Sequence, residues 1–234
     1  MSSTGSSERL ALRDGTLDVT LRRNPRARRI SLRVDPRDGR CILVLPPHAS
    51  KRDALAFARR NAAWIRERQS RVPPKMALAP GTVLPYRGIE RTIEHDAGSR
   101  DPVRLTDGRI VVGGRATGIE TALRRWLVAA ARTRIEAAVG ILADRVERQP
   151  GRITIRDTRS RWGSCAANGN LSFCWRLILA PDRVLDYVVA HEIAHLEEMN
   201  HGPRFWSLVE RLHGPWHADS EWLARHGARL HRYG

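Results

Sequence analysis

The stretch "LILAPDRVLDYVVAHEIAHLEEMNHGPRFW", residues 177–206, decides how the rest of the chain is read. Pro181 suits the first turn of a helix, and Asp182 and Asp186 suit its positive N-terminal end. Val184, Leu185, Val188, Val189, Ile193 and Leu196 supply apolar contact. Asn200, His201, Gly202 and Pro203 end the helix, because Asn and Gly accept a left-handed cap and Pro cannot continue the ladder. His191 and His195 are four residues apart, so they leave one face one turn apart. Two imidazoles so placed can reach one ion at about 2.0–2.1 Å each. Glu192 follows His191 and stands roughly 60° from His195 around the helix. It is therefore placed beside a metal and not on it. There a carboxylate can take a proton from water and pass it to a leaving group.

A catalytic zinc site usually has three protein ligands and an open position. His201, six residues past His195, is the natural third. Metzincins place a third histidine at this spacing with a glycine midway to permit the turn. Here the middle position is Glu198, so the helix is expected to run further before breaking. The competing reading is two histidines and a glutamate on the wet face of an ordinary amphipathic helix. Val188, Val189, Ile193 and Ala194 weigh against it, since they bury the helix and its polar residues then need a reason.

Outward from this helix the pattern switches to period two. Ile153 and Ile155 begin one strand, and Leu171, Phe173, Trp175, Leu177 and Leu179 alternate down another. "CAANGN" supplies the turn between them, giving an expected hairpin in residues 152–179. Before it a long helix starts at Thr117, with Glu120 completing a capping box. Its buried face is Ile119, Leu123, Leu127, Ala131, Ile135, Val139, Leu142 and Val146. "GGRATG" at 113–118 is the expected domain boundary.

Residues 8–113 read as a β-rich domain with one helix, after a leader at 1–7. Leu10 and Leu12, Leu17, Val19 and Leu21, Ile30, Leu32 and Val34, then Cys41, Leu43 and Leu45 alternate as strands. A helix begins after Ser50, an N-cap with Asp53 three residues on. "RVPPK" at 71–75 stops it. Two hairpins follow, turning at Arg87-Gly88 and Asp107-Gly108. The fold class is therefore α+β, with residues 114–234 carrying the metal motif.

The chain has 234 residues, a net charge of +16 and only three cysteines. An odd, small cysteine number fits a reduced, cytoplasmic compartment, although Cys165 and Cys174 could meet across a hairpin. No apolar run approaches the roughly 20 residues of a membrane-spanning helix. Of the 41 basic residues, all but Lys51 and Lys75 are arginines. That balance suggests a polyanion partner such as nucleic acid, or else a general arginine bias in a solvated shell. The arginines are spread along the chain, which favours the second. No nucleic-acid-binding motif accompanies them.

"TRSRWGSCAANGNLSFCWRLILAPDRVLDYVVAHEIAHLEEMNHGPRFW" resembles the YgjP-like metallopeptidase domain family, relatives of the SprT-like and WLM zinc proteins. "RNPRARRISLRVDPRDGRCILVLPPHASKRDALAFARRNAAWIRERQ" resembles the same family's β-rich leader region. R-W-G-S-C, then H-E-x-x-H, then N-H-x-x-x-F-W is far more specific than the zinc motif alone. The resemblance implies a minimal zincin core: a long helix, a small antiparallel sheet and the zinc helix. It implies zinc on His191, His195 and His201 with Glu192 as general base. It leaves the substrate open, since one branch is described as a nucleoside-triphosphate (UTP) pyrophosphatase.

Arg161 is a candidate for binding a carboxylate, phosphate or oxyanion, and Ser164 for hydrogen-bonding substrate. Trp162 and Gly163 could instead simply pack the strand end against the zinc helix. Tyr187, one turn before His191, is either an oxyanion or supporting partner or a core tyrosine. Phe205, Trp206, Leu208 and Leu212 form the buried face of a supporting helix. His213, His217, His226 and His231 read as a solvated tail. The expected function is a zinc-dependent hydrolase, foremost a metallopeptidase. A nucleotide pyrophosphatase is the alternative, favoured by a cleft lined with Arg159, Arg161 and Arg176. A nucleic-acid-associated protein is the other.

Overall fold

The computed structural model describes residues 6–12, 15–35, 39–72, 74–158 and 161–234, with no side-chain detail at 6, 7 and 12. The chain divides into two compact units, Met1–Lys75 and Met76–Gly234. The first four strands are β1 (Ser6–Leu12), β2 (Gly15–Arg23), β3 (Ser31–Val34) and β4 (Cys41–Leu45). They form one sheet in the order β1-β2-β4-β3, with β2 and β4 parallel and the outer pairs antiparallel. Leu10, Leu17, Val19, Leu21, Cys41, Leu43 and Leu45 are all buried on it, as the period-two pattern expects. Ser50 caps helix α1 (Lys51–Arg60) by accepting from the Asp53 N–H at 3.0 Å. The single helix expected here breaks at Asn61, and α2 (Ala62–Ser70) resumes. Of the turn residues expected before Gly15 and Gly39, Asp14 and residues 36–38 lie outside the described residues, as does Pro73 of "RVPPK".

The second unit opens with two hairpins, β5 (Val83–Tyr86) with β6 (Ile89–Asp96), and β7 (Val103–Thr106) with β8 (Arg109–Gly113). Both turn where the sequence places them. At the first, Arg87 and Gly88 both take positive φ, 53° and 77°, as a two-residue hairpin turn requires. Parallel pairing of β6 with β8 joins them into one sheet. Helix α3 (Ile119–Ala143) follows, and all eight residues expected on its buried face are buried, Val146 just beyond its end. Its start differs from the expected capping box at Thr117. A single 3-10 turn, Ala116–Gly118, leads in, and no side chain caps the helix.

The expected division after residue 113 thus differs from the division into compact units. β8 and α3 belong to one unit, and Ile110, Val112, Ile119 and Leu123 share one core. The leader expected at 1–7 also differs, since β1 begins at Ser6. The charge is uneven as well. Met1–Lys75 holds 18 Lys/Arg against 7 Asp/Glu, a net +11, leaving +5 for the unit that carries the histidines.

The site rests on a three-stranded sheet of β9 (Ile153–Arg156), β10 (Gly163–Cys165) and β11 (Leu171–Cys174), in the order β10-β11-β9. The expected hairpin exists, but between β10 and β11 around residues 166–170. β9 pairs with β11 in parallel, so the sheet is mixed where an antiparallel one was expected. Trp175–Leu179 is a 3-10 segment and not the continuation of a strand. All five of its residues are buried, so it has no wet face for alternation to report. Helices α4 (Asp182–Ala194), α5 (Pro203–His213) and α6 (His217–Leu230) complete the unit. The segment expected as a solvated tail is therefore folded. His213 bonds Asp219 at 2.8 Å, His231 stacks on Trp162, and Tyr233 is fully buried. Its tryptophans supply apolar area that the arginines mask in composition.

Candidate metal centre and catalytic cleft

Helix α4 ends at Ala194, with His195 as its cap, well before Asn200. The expectation that the helix runs on past Glu198 is therefore corrected. Leu196, Glu197 and Glu198 donate their N–H groups to Ile193 and Ala194, closing a tight turn. Among the described residues only Arg87 and glycines take positive φ, so this return path needs no glycine at 198. Instead the Glu198 carbonyl accepts from His195 Nδ1 at 3.0 Å.

That turn brings His201 back over α4. One ligand atom from each of His191, His195 and His201 lies within 4.8 Å of the others. The Nε2 atoms of His191 and His201 stand 3.2 Å apart. Two nitrogens on a tetrahedral ion with bonds of 2.0–2.1 Å stand about 3.3 Å apart. The Nδ1–H of His195 is engaged by Glu198, which leaves Nε2 as the free lone pair. Burial, with His195 and His201 nearby, pulls the His191 pKa down to about 4, and burial lowers His195 as well. Both rings are thus neutral, the form a metal requires. His191 Nδ1 is buried with no hydrogen-bond partner among the described residues. The donor set fits a divalent metal.

Phe205, fully buried at the start of α5, is a shared floor for the three imidazoles. Its ring centroid lies 4.9 Å from His191, 4.5 Å from His195 and 4.7 Å from His201. Trp206 stacks on His201 at 5.8 Å. The sequence marks both as buried-face residues, and only the fold shows that they fix the ligand rings. Tyr187 belongs to this aromatic packing too, stacking on Trp216 and meeting His191 edge-on at 6.0 Å. Its side chain is hydrogen-bonded to Ser220.

Glu192 is 6 % exposed. Burial pushes its carboxyl up to about 7, against the pull of the Arg161 guanidinium and a hydrogen bond from the Cys165 N–H. A carboxyl held near neutrality can accept and release a proton at working pH. What lets β10 lie this close is Gly163. A Cβ there would stand 2.5 Å from Glu192 Cγ and Oε1. Of the two readings of "RWGSC", packing against the helix describes Gly163. Trp162 packs on His231, and Gly227 comes close enough that a Cβ there would stand 3.0 Å from its ring.

Ser164 points from the other face of β10 into a cavity that Arg161 also lines. Arg176 does not line a cleft. It is 1 % exposed, bonded to Asp157 and to the carbonyls of Tyr233 and Gly234 at 2.9 and 2.8 Å. Arg159 lies outside the described residues. Cys165 and Cys174 are not opposite each other: Cys165 pairs with Leu171, and all three cysteines are free. No helix among the described residues is long and apolar enough to cross a membrane.

Three converging imidazoles thus lie beside a buried carboxyl, a donor set that a metal-binding family would share. The family model described as "YgjP-like, metallopeptidase domain" matches residues 28–226, and the chain belongs to that family. No curated protein matches the sequence. Among solved structures, the metallopeptidase zymogen of Pyrococcus abyssi abylysin is similar, at 24 % identity and a TM-score of 0.35, covering 44 % of this chain and 97 % of that one.

Proposed function

We propose that the protein is a zinc-dependent peptidase in which His191, His195 and His201 hold the ion and Glu192 is the general base. The observation that carries this is the convergence of the three ring nitrogens within 4.8 Å, next to a carboxyl 6 % exposed. A zinc ion held there supplies a Lewis acid that polarises a carbonyl and acidifies water. Glu192 takes the proton of the attacking water and returns it to the leaving amine. The Cys165 N–H and the strand behind it keep the carboxylate in place for both transfers. The open edge of β10 offers backbone groups to an extended peptide, aligning it along the cleft. The free thiols fit a reducing, cytoplasmic setting for this activity.

The test compares wild type with Glu192→Gln on a peptide library and on nucleoside triphosphates, with zinc measured in both. The expected result is peptide cleavage lost by at least about 100-fold with zinc retained. A variant that cleaves as fast as wild type removes Glu192 from the mechanism. Hydrolysis of triphosphates without peptides replaces the substrate class.

A further inference from the structure

The two faces of the three-stranded sheet differ in kind. One row across it is Gly163, Phe173 and Ile155, facing α4 and the core. The next row is Ser164, Ser172 and Thr154, three hydroxyls abreast. They form the floor of a cavity of about 470 Å³, rimmed by Arg152, Arg156 and Arg161. A volume of this order can take a ligand of several residues or a small molecule. Among the described residues no carboxylate lines it, and none of the three guanidiniums has an acidic partner within ion-pair distance. Asp157, the nearest carboxylate in sequence, is already held by Arg124 and Arg176.

We infer that this cavity is a substrate subsite that recognises acidic side chains of an extended peptide. The inference rests on the peptidase reading and names its substrate class. The charge pattern asks for several anionic groups, since guanidiniums that hold no carboxylate at ion-pair distance, Arg161 acting on Glu192 only from further off, are best satisfied by carboxylate or phosphate oxygens. Their spacing favours an extended ligand. Arg152 and Arg156 are four residues apart on an extended segment, so their Cα atoms stand about 13 Å apart, twice the same-face repeat of a peptide strand. A single phosphate would draw guanidiniums together. Among the described residues no aromatic ring lines the cavity, which removes the stacking platform that nucleobases use. Position supplies the last element. Ser164 faces the cavity while Gly163 and Cys165, its neighbours on the edge strand, face Glu192. A peptide laid along β10 therefore presents alternate side chains to the cavity and to the core-side cleft.

The experiment uses the full chain carrying Glu192→Gln, so that binding is read without turnover. The probes are a fluorescent peptide with glutamate at alternate positions, its glutamine counterpart, and inorganic tripolyphosphate. The expected result is tighter binding of the glutamate peptide, weakened about tenfold or more by Arg152→Glu with Arg156→Glu and largely kept by Arg→Lys at both. In the catalytically intact chain the ratio of kcat/KM for glutamate over glutamine peptide should fall with the charge reversal, mainly through KM. Equal binding of the two peptides, or no effect of the reversal, overturns the subsite and leaves the peptidase reading intact. Tripolyphosphate binding without peptide binding also overturns it. Peptide binding with no cleavage of any peptide by the intact chain overturns the peptidase reading, and the substrate role of the cavity falls with it.

Discussion

Gly163→Ala is the sharpest test of how the cleft is built. The added Cβ would stand 2.5 Å from Glu192 Cγ and Oε1 and 2.7 Å from Cδ. Carbon atoms settle at about 3.5–4.0 Å, so the overlap is roughly 1 Å. Neither side can retreat freely. Gly163 pairs with Phe173, which is fully buried on β11, and Glu192 sits on α4 between buried Ala190 and Ile193. The carboxyl must therefore rotate out of its place. A displacement of about 1 Å costs on the order of 100-fold in rate, and general-base catalysis as a whole contributes about 100- to 10,000-fold. Overpacking adds about 1–3 kcal/mol of destabilisation. The histidines are untouched. The expected outcome is a fall of about 100-fold or more in kcat/KM for peptide, with metal content unchanged and a folded, slightly less stable protein by thermal melt. In a Glu192→Gln background the same substitution should cost little more, because both act on one group. Wild-type rates in Gly163→Ala, or an equal loss in both backgrounds, would refute the argument.

Two further outcomes follow from the ionisable groups. Burial raises the Asp157 carboxyl, but Arg176 and Arg124 pull it down further, so its pKa lies below the usual value. A depressed carboxyl adds stability that is present above its unfolded pKa of about 3.9 and lost as pH falls through its folded value. Asp157→Asn should therefore destabilise the protein at pH 7 and flatten the loss of stability below about pH 4, read by denaturant melts. It also leaves Arg176, which is 1 % exposed, without its carboxylate, which makes a cost of about 2–3 kcal/mol at neutral pH the expectation; an unchanged midpoint would exclude the ion pair as a support. Cys41 is 1 % exposed and burial pushes its thiol up to about 11, so iodoacetamide at pH 8 should leave it unlabelled in the native chain while denatured chain reacts fully. Native labelling of Cys41 by mass spectrometry would show that the first sheet opens.

The sequence by itself determined the elements whose side chains divide cleanly between core and water. The alternating Leu17, Val19 and Leu21 of β2, the buried stripe of α3 from Ile119 to Leu142 and the positive-φ turn at Arg87-Gly88 are local patterns, and each sits where it reads. His191 and His195 come together because a helix spaces them so. Tertiary structure decided what has no local period. Trp175–Leu179 is buried all round, so alternation there carried no information. β9 joins its sheet in parallel by pairing with β11, eighteen residues on, which no adjacent pattern encodes. His213 and His231 were masked by the arginines around them, and only packing against Asp219 and Trp162 draws them in, whereas His217 and His226 stay exposed as expected. The path to His201 was the decisive case. Comparison with a glycine-bearing motif made Glu198 an obstacle, but a turn built from N–H groups bonded to Ile193 and Ala194 needs no left-handed residue. The Glu198 carbonyl, which no side-chain reading can see, then orients His195. Gly163 shows the same division: its place in "RWGSC" is legible, but the reason a side chain is forbidden there is a carboxyl twenty-nine residues away.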